Sequence, residues 1–373
     1  MNRLNFSSIS DLKKILANNK INRILVICGK ISFEKSGANK ILEDLLRTKQ
    51  TYFFHKNFSY PEISELKKIV TKIKEFSPHF IIAVGGGSVL DYAKMANVLV
   101  DNENIEEEIT KSTYQIKKKF TKLIAIPTTA GSGAEVTTNA VIYINKMKYS
   151  VEGALLKPDY FFLLPELVIG ASQKIKSSAG FDAISQAIES IISKKSNDKS
   201  LNFAKKSLEI SLKNYLNYIN SPDNNNTSAM CIAANLAGEA ISISKTTAPH
   251  AVSYPFTSYF NVSHGHAVSL TLNEFLLFNY ENKKIASCDF NLSERYKLIF
   301  NLTGTNNINE LNLYLKILKE KANLTNDFKK LGINISEHLD TLLSNINVQR
   351  LKNNPINLNV NDIKNILLKK YNT

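Results

Sequence analysis

At 373 residues the chain exceeds the usual size of one domain, so two domains are expected. Hydrophobic residues make up 43% of it, enough for substantial cores, and 14 glycines with 9 prolines are too few for a disordered or fibrous protein. A formal net charge of +14 raises a nucleic-acid reading, but the lysines are dispersed and their densest runs, Lys117–Lys119 and Lys369–Lys370, lack aromatics at stacking spacing; solvated surface is expected, and no nucleic-acid partner.

In chain order, the opening MNRLNFSSISDLKK holds no apolar core of signal-peptide length. Arg23–Cys28 (RILVIC) is a short, continuous apolar run, the form of a strand buried on both faces. A helix-period stretch follows over Ala38–Leu46, then a strand at Thr51–His55 and an amphipathic helix at Glu62–Phe76. Phe80–Val84 reads as another buried strand, broken at Gly85–Ser88 before a helix from Val89 to Val100, and Lys122–Ile126 is a further strand. Such alternation marks a mostly parallel, doubly wound sheet.

Beyond about Gly170 the texture turns helical. Asp182–Ile192, Ser200–Tyr218, Ser228–Ser242, Ala267–Phe278 and Leu311–Lys321 all favour helix, with Asn220–Thr227 as a polar loop. Near the end, Asn359 with Asp362 three residues on is a helix start. The expected architecture is an α/β dinucleotide-binding domain over residues 1–170 and an all-helical metal and substrate domain over 171–373, with the site in the cleft between them. No run reaches the roughly 18 apolar residues of a membrane span, so no membrane partner is expected. Cys28, Cys231 and Cys288 are widely spaced and form no CxxC pair, against a disulfide framework or a thiolate zinc site. A cytoplasmic protein is the expectation.

Two loops carry phosphate-binding chemistry. VGGGSVLDYAK (84–94) sets glycines and Ser88 between a buried strand and a helix, where backbone N–H groups can approach a pyrophosphate and the helix N-terminus adds positive potential. IPTTAGSGAEVT (126–137) adds the hydroxyls of Thr128, Thr129 and Ser132 beside further glycines, again just after a strand. Loops of this kind at neighbouring strand ends fit one dinucleotide across the sheet edge.

The metal-ligating pattern lies later. In AGFDAISQAIES (179–190), Asp182 and Gln186 stand one helical turn apart on one face. The segment 246–272 holds His250, His264 and His266, with Pro255 allowing a break between the first two. One carboxylate and neutral imidazoles suit Zn²⁺ or Fe²⁺ and leave positions open for substrate.

At these residues the sequence resembles the iron-containing (group III) alcohol dehydrogenases, within the dehydroquinate synthase-like fold. GGGSVLDYAK, IPTTAGSGAEVT, AGFDAISQAIES and PHAVSYPFTSYFNVSHGHA occur in the family's order, and the likeness runs through to NNPINLNVNDIKNIL. The resemblance implies Asp182, His250 and His264 as metal ligands, with Gln186 standing where most members carry a histidine. It implies Gly86, Gly87, Ser88, Thr128, Thr129 and Ser132 as cofactor contacts, together with Asp91 and Lys148. Tyr254 stands where many members have a proton-relay histidine, so Tyr254 and His266 become the candidate catalytic proton donors. Where NAD-preferring members tend to have an aspartate after the first strand, this chain has Gly29 then Lys30, which favours NADPH over NADH. The SKTTAPHAVSYP stretch with Gln186 looks most like the subgroup that reduces phosphonoacetaldehyde to hydroxyethylphosphonate, and Lys245 suits a phosphonate.

The expected activity is reduction of a small aldehyde by NAD(P)H at a divalent metal, Fe²⁺ or Zn²⁺, in a homodimer. A dehydroquinate synthase-type carbocycle-forming enzyme is one alternative, since it shares the fold, NAD and a similar metal site. A basic nucleic-acid-binding protein is the alternative from another class.

Overall fold

The computed structural model describes residues 8–18 and 20–372, so the first seven residues of the opening segment lie outside the described residues. The chain forms two compact units, Met1–Ser172 with Asp223–Asn235, and Gln173–Pro222 with Leu236–Thr373.

The first unit runs α1 (Ile9–Leu16), β1 (Arg23–Gly29), α2 (Lys30–Lys35), α3 (Ala38–Leu46), β2 (Gln50–Lys56), α4 (Ile63–Phe76), β3 (Phe80–Gly85), α5 (Gly87–Val98), α6 (Ile105–Thr110), β4 (Lys122–Pro127), β5 (Asn139–Ile144), β6 (Met147–Glu152) and β7 (Tyr160–Phe161). Five strands pair in the order β2-β1-β3-β4-β7, every neighbour parallel, as the alternating sequence pattern implies. Leu25, Ile27, Ile81, Ala83, Leu123 and Ala125 face one core with α4 and α5. Their alternates Ile24, Val26, Ile82, Val84, Ile124 and Ile126 face the other, with α1 and α3. Burial on both faces is why β1 and β3 read as unbroken apolar runs. The register sets Gly29 opposite Lys56 and Gly85 opposite Pro127, so the strand ends deliver both Gly-rich loops to one sheet edge.

The sequence reading overlooked the antiparallel hairpin β5–β6. Its turn is Asn145-Lys146, both left-handed at φ 50° and 65°. That backbone matches strand twist, but Asn-Lys is a weaker signal for it than Asn-Gly.

The second unit is all helix among the described residues. It comprises α7 (Gln173–Ile192), α8 (Asp198–Asn220), the later part of α9 (Asn224–Ser244), α10 (Ala248–Phe260), α11 (His264–Glu281), α12 (Leu292–Thr303), α13 (Ile308–Lys321), α14 (Ile335–Ser344), α15 (Val348–Leu351) and α16 (Val360–Asn372). A core of Val252, Phe256, Leu270, Phe275, Phe328, Ile335, Leu342, Ile363 and Leu367 joins α10, α11, α14 and α16. The helix start near the end is as expected: Asn359 and Asp362 cap each other reciprocally, at 2.9 and 3.0 Å.

Two local expectations are corrected. The loop Asn220–Thr227 is shorter, because Asp223 Oδ1 accepts the Asn226 N–H at 2.7 Å and starts α9 at Asn224. Pro255 does not break the chain between the histidines; α10 runs through it. The missing proline N–H would orphan the carbonyl four residues back. That carbonyl, on Ala251, instead accepts the Asn347 N–H at 3.2 Å. The chain reverses later, at Asn261, in the left-handed region at φ 54°.

The basic runs are partly neutralised where they lie: Lys119 pairs with Asp159 at 2.9 Å and Lys370 with Glu274 at 2.7 Å. No helix among the described residues is long and apolar enough to cross a membrane.

Candidate metal centre and phosphate loops

Helix α7 is buried along most of its length, yet one face carries Asp182, Gln186 and Glu189, at most 4% exposed. Buried polar groups on a core helix need partners, and α10 and α11 bring them. His250 sits in the first turn of α10, and His264 is the first residue of α11. His250 Nε2 lies 3.2 Å from Asp182 Oδ1, and His264 Nε2 lies 4.0 Å from the same oxygen. Donor atoms of the three residues all fall within 4.8 Å of one another. Around a tetrahedral ion with bonds near 2.0–2.2 Å, donors stand about 3.3–3.6 Å apart, so this set needs only small adjustments to hold one.

Behind it stands Glu189, which the sequence reading passed over. Its carboxylate makes a short contact with His250 Nδ1, and its other oxygen accepts the Thr247 N–H at 2.7 Å and the Thr247 hydroxyl at 2.8 Å. The signal was present, since Asp182, Gln186 and Glu189 follow i, i+4, i+7 spacing on one helix face. A carboxylate on Nδ1 fixes the imidazole tautomer and leaves Nε2 for a metal. Burial pushes the His250 pKa down, but Glu189 and Asp182 outweigh it and raise the group to about 9. So much negative charge around one imidazole favours a cation there. Glu189→Gln is expected to weaken metal affinity by about 10- to 100-fold while the fold persists. Competition with a metal-binding dye would measure this; unchanged affinity would remove Glu189 from the site.

Gln186 is held against the aspartate through its amide nitrogen. Its Nε2 donates to Asp182 Oδ2 at 3.1 Å, so it orients the carboxylate and leaves Oδ1 towards both histidines. Tyr254, one turn after His250, stacks its ring on His264 at 5.9 Å and 28°. Burial pushes its phenol up to about 12, with Arg350 the strongest opposing influence, so it remains a proton donor at neutral pH. His266 is not brought to the cluster. Two residues beyond His264 is a rotation of about 200° around the helix, and its Nε2 is bonded to the Thr325 carbonyl at 2.8 Å. A relay role for His266 has no support from this placement.

Within the first unit the two Gly-rich loops touch. The Thr128 N–H donates to the Gly85 carbonyl at 3.0 Å. A Cβ on Gly86 would meet Thr129 Oγ1 at 3.4 Å, and one on Gly87 would meet Ser132 Oγ at 2.7 Å. These glycines let the turn at the head of α5, with Ser88 in its first turn, lie against the Thr129 and Ser132 hydroxyls. The first N–H groups of a helix lack partners within it and suit a phosphate.

Lys94, also missed from sequence, pins the second loop in place. Wholly buried, it donates to Ala134 O at 3.1 Å, to Thr137 Oγ1 at 2.7 Å and to Asp91 Oδ1 at 3.3 Å. Asp91 also accepts the Val141 N–H at 3.0 Å, which engages both of its oxygens inside the protein. Lys148, on β6, sits 5.8 Å over the Tyr143 ring and acts electrostatically on Asp91. Asp91 therefore ties the hairpin to α5, with the Lys148 charge a minor influence on it. Gly29 ends β1, where a Cβ would stand 3.7 Å from Lys56 Cε.

Comparisons with known proteins bear on the family and the fold. The chain matches the iron-containing alcohol dehydrogenase model over residues 3–165 and the Fe-containing alcohol dehydrogenase C-terminal model over residues 176–371. It is 30% identical over 209 residues to a phosphonoacetaldehyde reductase of Streptomyces viridochromogenes, covering 53% of each chain. A 4-hydroxybutyrate dehydrogenase of Clostridium kluyveri is also 30% identical, over 59% of this chain and 60% of the relative. The chain thus spans only about half to three-fifths of the length of these relatives, 53% and 60%. Among solved structures, the sulfoacetaldehyde reductase of Bifidobacterium kashiwanohense in complex with NAD⁺ superposes with a TM-score of 0.86 at 24% identity, over 100% of this chain and 96% of that one. An iron-containing alcohol dehydrogenase of Thermotoga maritima gives 0.84 at 25% identity, over 100% and 98%. With family matches across both units, a carboxylate-and-imidazole cluster on α7, α10 and α11, and paired Gly-rich loops on a parallel sheet, the chain belongs to the iron-containing alcohol dehydrogenase family.

Proposed function

We propose that the protein is a metal-dependent, NAD(P)H-linked aldehyde reductase. The observation that carries this reading is the convergence of Asp182, His250 and His264, with Glu189 fixing His250 from behind. These three side chains would hold the ion, with Gln186 orienting the aspartate. A divalent ion so held supplies Lewis-acid polarisation of a carbonyl oxygen, and a reduced nicotinamide supplies hydride. Gly86, Gly87, Ser88, Thr128, Thr129 and Ser132 bind and orient the dinucleotide. Tyr254 is the proposed proton donor to the developing alkoxide, directly or through water, because its phenol stays protonated beside His264.

NADPH is the proposed cofactor. No carboxylate follows β1 at Gly29, and both Lys30 and Lys56 stand near that strand end. A cation there attracts a 2′-phosphate. NADPH is expected to exceed NADH in kcat/KM by about tenfold or more, the worth of one good charge-assisted contact. Initial rates with both cofactors test this, and a large NADH preference would refute it.

The proposed substrate is phosphonoacetaldehyde, reduced to 2-hydroxyethylphosphonate. Its support is the likeness to the Streptomyces reductase, together with two other relatives named for substrates that carry a sulfonate or a carboxylate. An aldehyde panel followed by reduced-cofactor absorbance is the test. Phosphonoacetaldehyde is expected to lead it; turnover no faster than that of short neutral aldehydes would overturn the assignment.

A further inference from the structure

The chain passes from α9 to α10 through Ser244, Thr246 and Thr247, all of them buried. Buried polar groups are costly unless each finds a partner, and here the partners lie along α7 and just past its end. Ser244 Oγ donates to Ser190 Oγ at 2.8 Å, and Ser193 Oγ donates to the Ser244 carbonyl at 2.6 Å. Asn353 Nδ2 donates to the Thr246 carbonyl at 3.2 Å. Lys245 makes the bend with a left-handed backbone at φ 62°.

Thr247 ends this connection at the N-cap of α10. A threonine hydroxyl at that position ordinarily accepts an N–H from the first turn of its own helix, yet Thr247 makes no such bond. Its hydroxyl turns to α7 and donates to Glu189 Oε2 at 2.8 Å, beside its own N–H on the same oxygen at 2.7 Å. Two donors from one residue fix the plane of the carboxylate. The other oxygen, Oε1, is thereby presented to His250 Nδ1, three residues further along. His250 Nε2 in turn lies 3.2 Å from Asp182 Oδ1. Thr247 and Glu189 are both wholly buried, where bulk water cannot stand in for a lost hydroxyl.

We propose that Thr247 is a positioning residue of the metal centre: its hydroxyl sets the Glu189 carboxylate, which sets His250 as a ligand. The inference rests on the metal-dependent reading of the site and deepens it by one residue beyond Glu189. The backbone N–H alone would hold the carboxylate at one point and leave it free to pivot about that bond. The hydroxyl removes that freedom, and so keeps His250 Nδ1 engaged and Nε2 turned to the donor cluster.

The test measures Zn²⁺ affinity of the full chain by competition with a metal-binding dye, without aldehyde or cofactor, beside the melting temperature of each metal-free variant. Thr247→Val keeps the shape and removes the hydroxyl, and is expected to weaken Zn²⁺ binding by about tenfold, the lower end of the range for groups behind a metal ligand. Thr247→Ser retains the hydroxyl and should stay near wild type. Ser193→Ala cuts a contact of the same connection that does not touch Glu189, and should also leave affinity near wild type. Glu189→Ala removes the group through which Thr247 acts, so adding Thr247→Val to it should cost no further affinity.

Unchanged Zn²⁺ affinity in Thr247→Val, with or without a lower melting temperature, would reduce the hydroxyl to a packing contact and overturn the inference. An equal loss in Ser193→Ala, or a full further loss on top of Glu189→Ala, would overturn it as well. Because affinity is read without turnover, the two readings fail separately. A wild type that binds Zn²⁺ and loses it through Thr247→Val, but reduces no aldehyde, would sink the reductase reading and support the positioning role. A wild type that binds neither Zn²⁺ nor Fe²⁺ would sink both.

Discussion

Replacing Asp182 with alanine is expected to remove bound divalent metal and to lower kcat for aldehyde reduction by about 10³-fold or more, roughly 4 kcal/mol of barrier. Its carboxylate supplies the negative charge in a donor set otherwise made of imidazoles, and its Oδ1 faces both His250 Nε2 and His264 Nε2. Alanine also leaves the Gln186 amide without the oxygen it now bonds at 3.1 Å. Asp182→Asn separates the effects, because it keeps the shape and removes the charge; metal should be lost there too, with less cost to folding. Elemental analysis of each purified variant, read beside its turnover, checks the prediction. An Asp182→Ala protein with bound metal and wild-type kcat would mean the site lies elsewhere.

The next largest effect is expected at a residue with no functional group. Gly265 lies between His264 and His266 in the first turn of α11, where that helix packs on α7. A Cβ there would fall on the Ser178 carbonyl oxygen, well inside contact distance, and 2.8 Å from Asp182 Cβ. The first obstacle is buried backbone and cannot swing aside as a flexible side chain would. Gly265→Ala must therefore push the start of α11 off α7 and carry His264 away from Asp182. A stability loss of about 3 kcal/mol is expected, at the upper end of the usual cost of overpacking, together with weakened metal binding. Thermal unfolding and metal content report the two effects separately. A variant with wild-type melting temperature and wild-type metal content would show that the close approach is not needed.

Most of the sheet was legible because buried parallel strands announce themselves. RILVIC and FIIAV could hardly be anything but strands covered on both faces, and their ends located the Gly-rich loops. The hairpin β5–β6 was not legible, since its turn residues Asn145 and Lys146 adopt left-handed backbone without a glycine to signal it. Pro255 misled for a physical reason: a proline looks like a helix break unless another group takes the orphaned carbonyl, and Asn347 lies far off in sequence.

The candidate donors Asp182, His250 and His264 were expected from residue type and family resemblance, whereas the residues packed against them were not. Glu189 stood in plain view on the helix face of Asp182, but only the structure sets it against His250 Nδ1. Lys94 and Arg350 looked like ordinary cations in a chain of 47 lysines and arginines, and burial alone sets them apart. Conversely, His266 shared the histidine-rich motif without sharing its face of the helix.

The metal assignment is tested most directly by stripping the protein with a chelator and titrating Fe²⁺ or Zn²⁺ back, without oxygen, while NADPH oxidation by aldehyde is followed. Turnover is expected to be absent in the stripped protein and to rise to a plateau at about one ion per chain, the stoichiometry of a single three-donor site. Full aldehyde reduction by metal-free protein would contradict it.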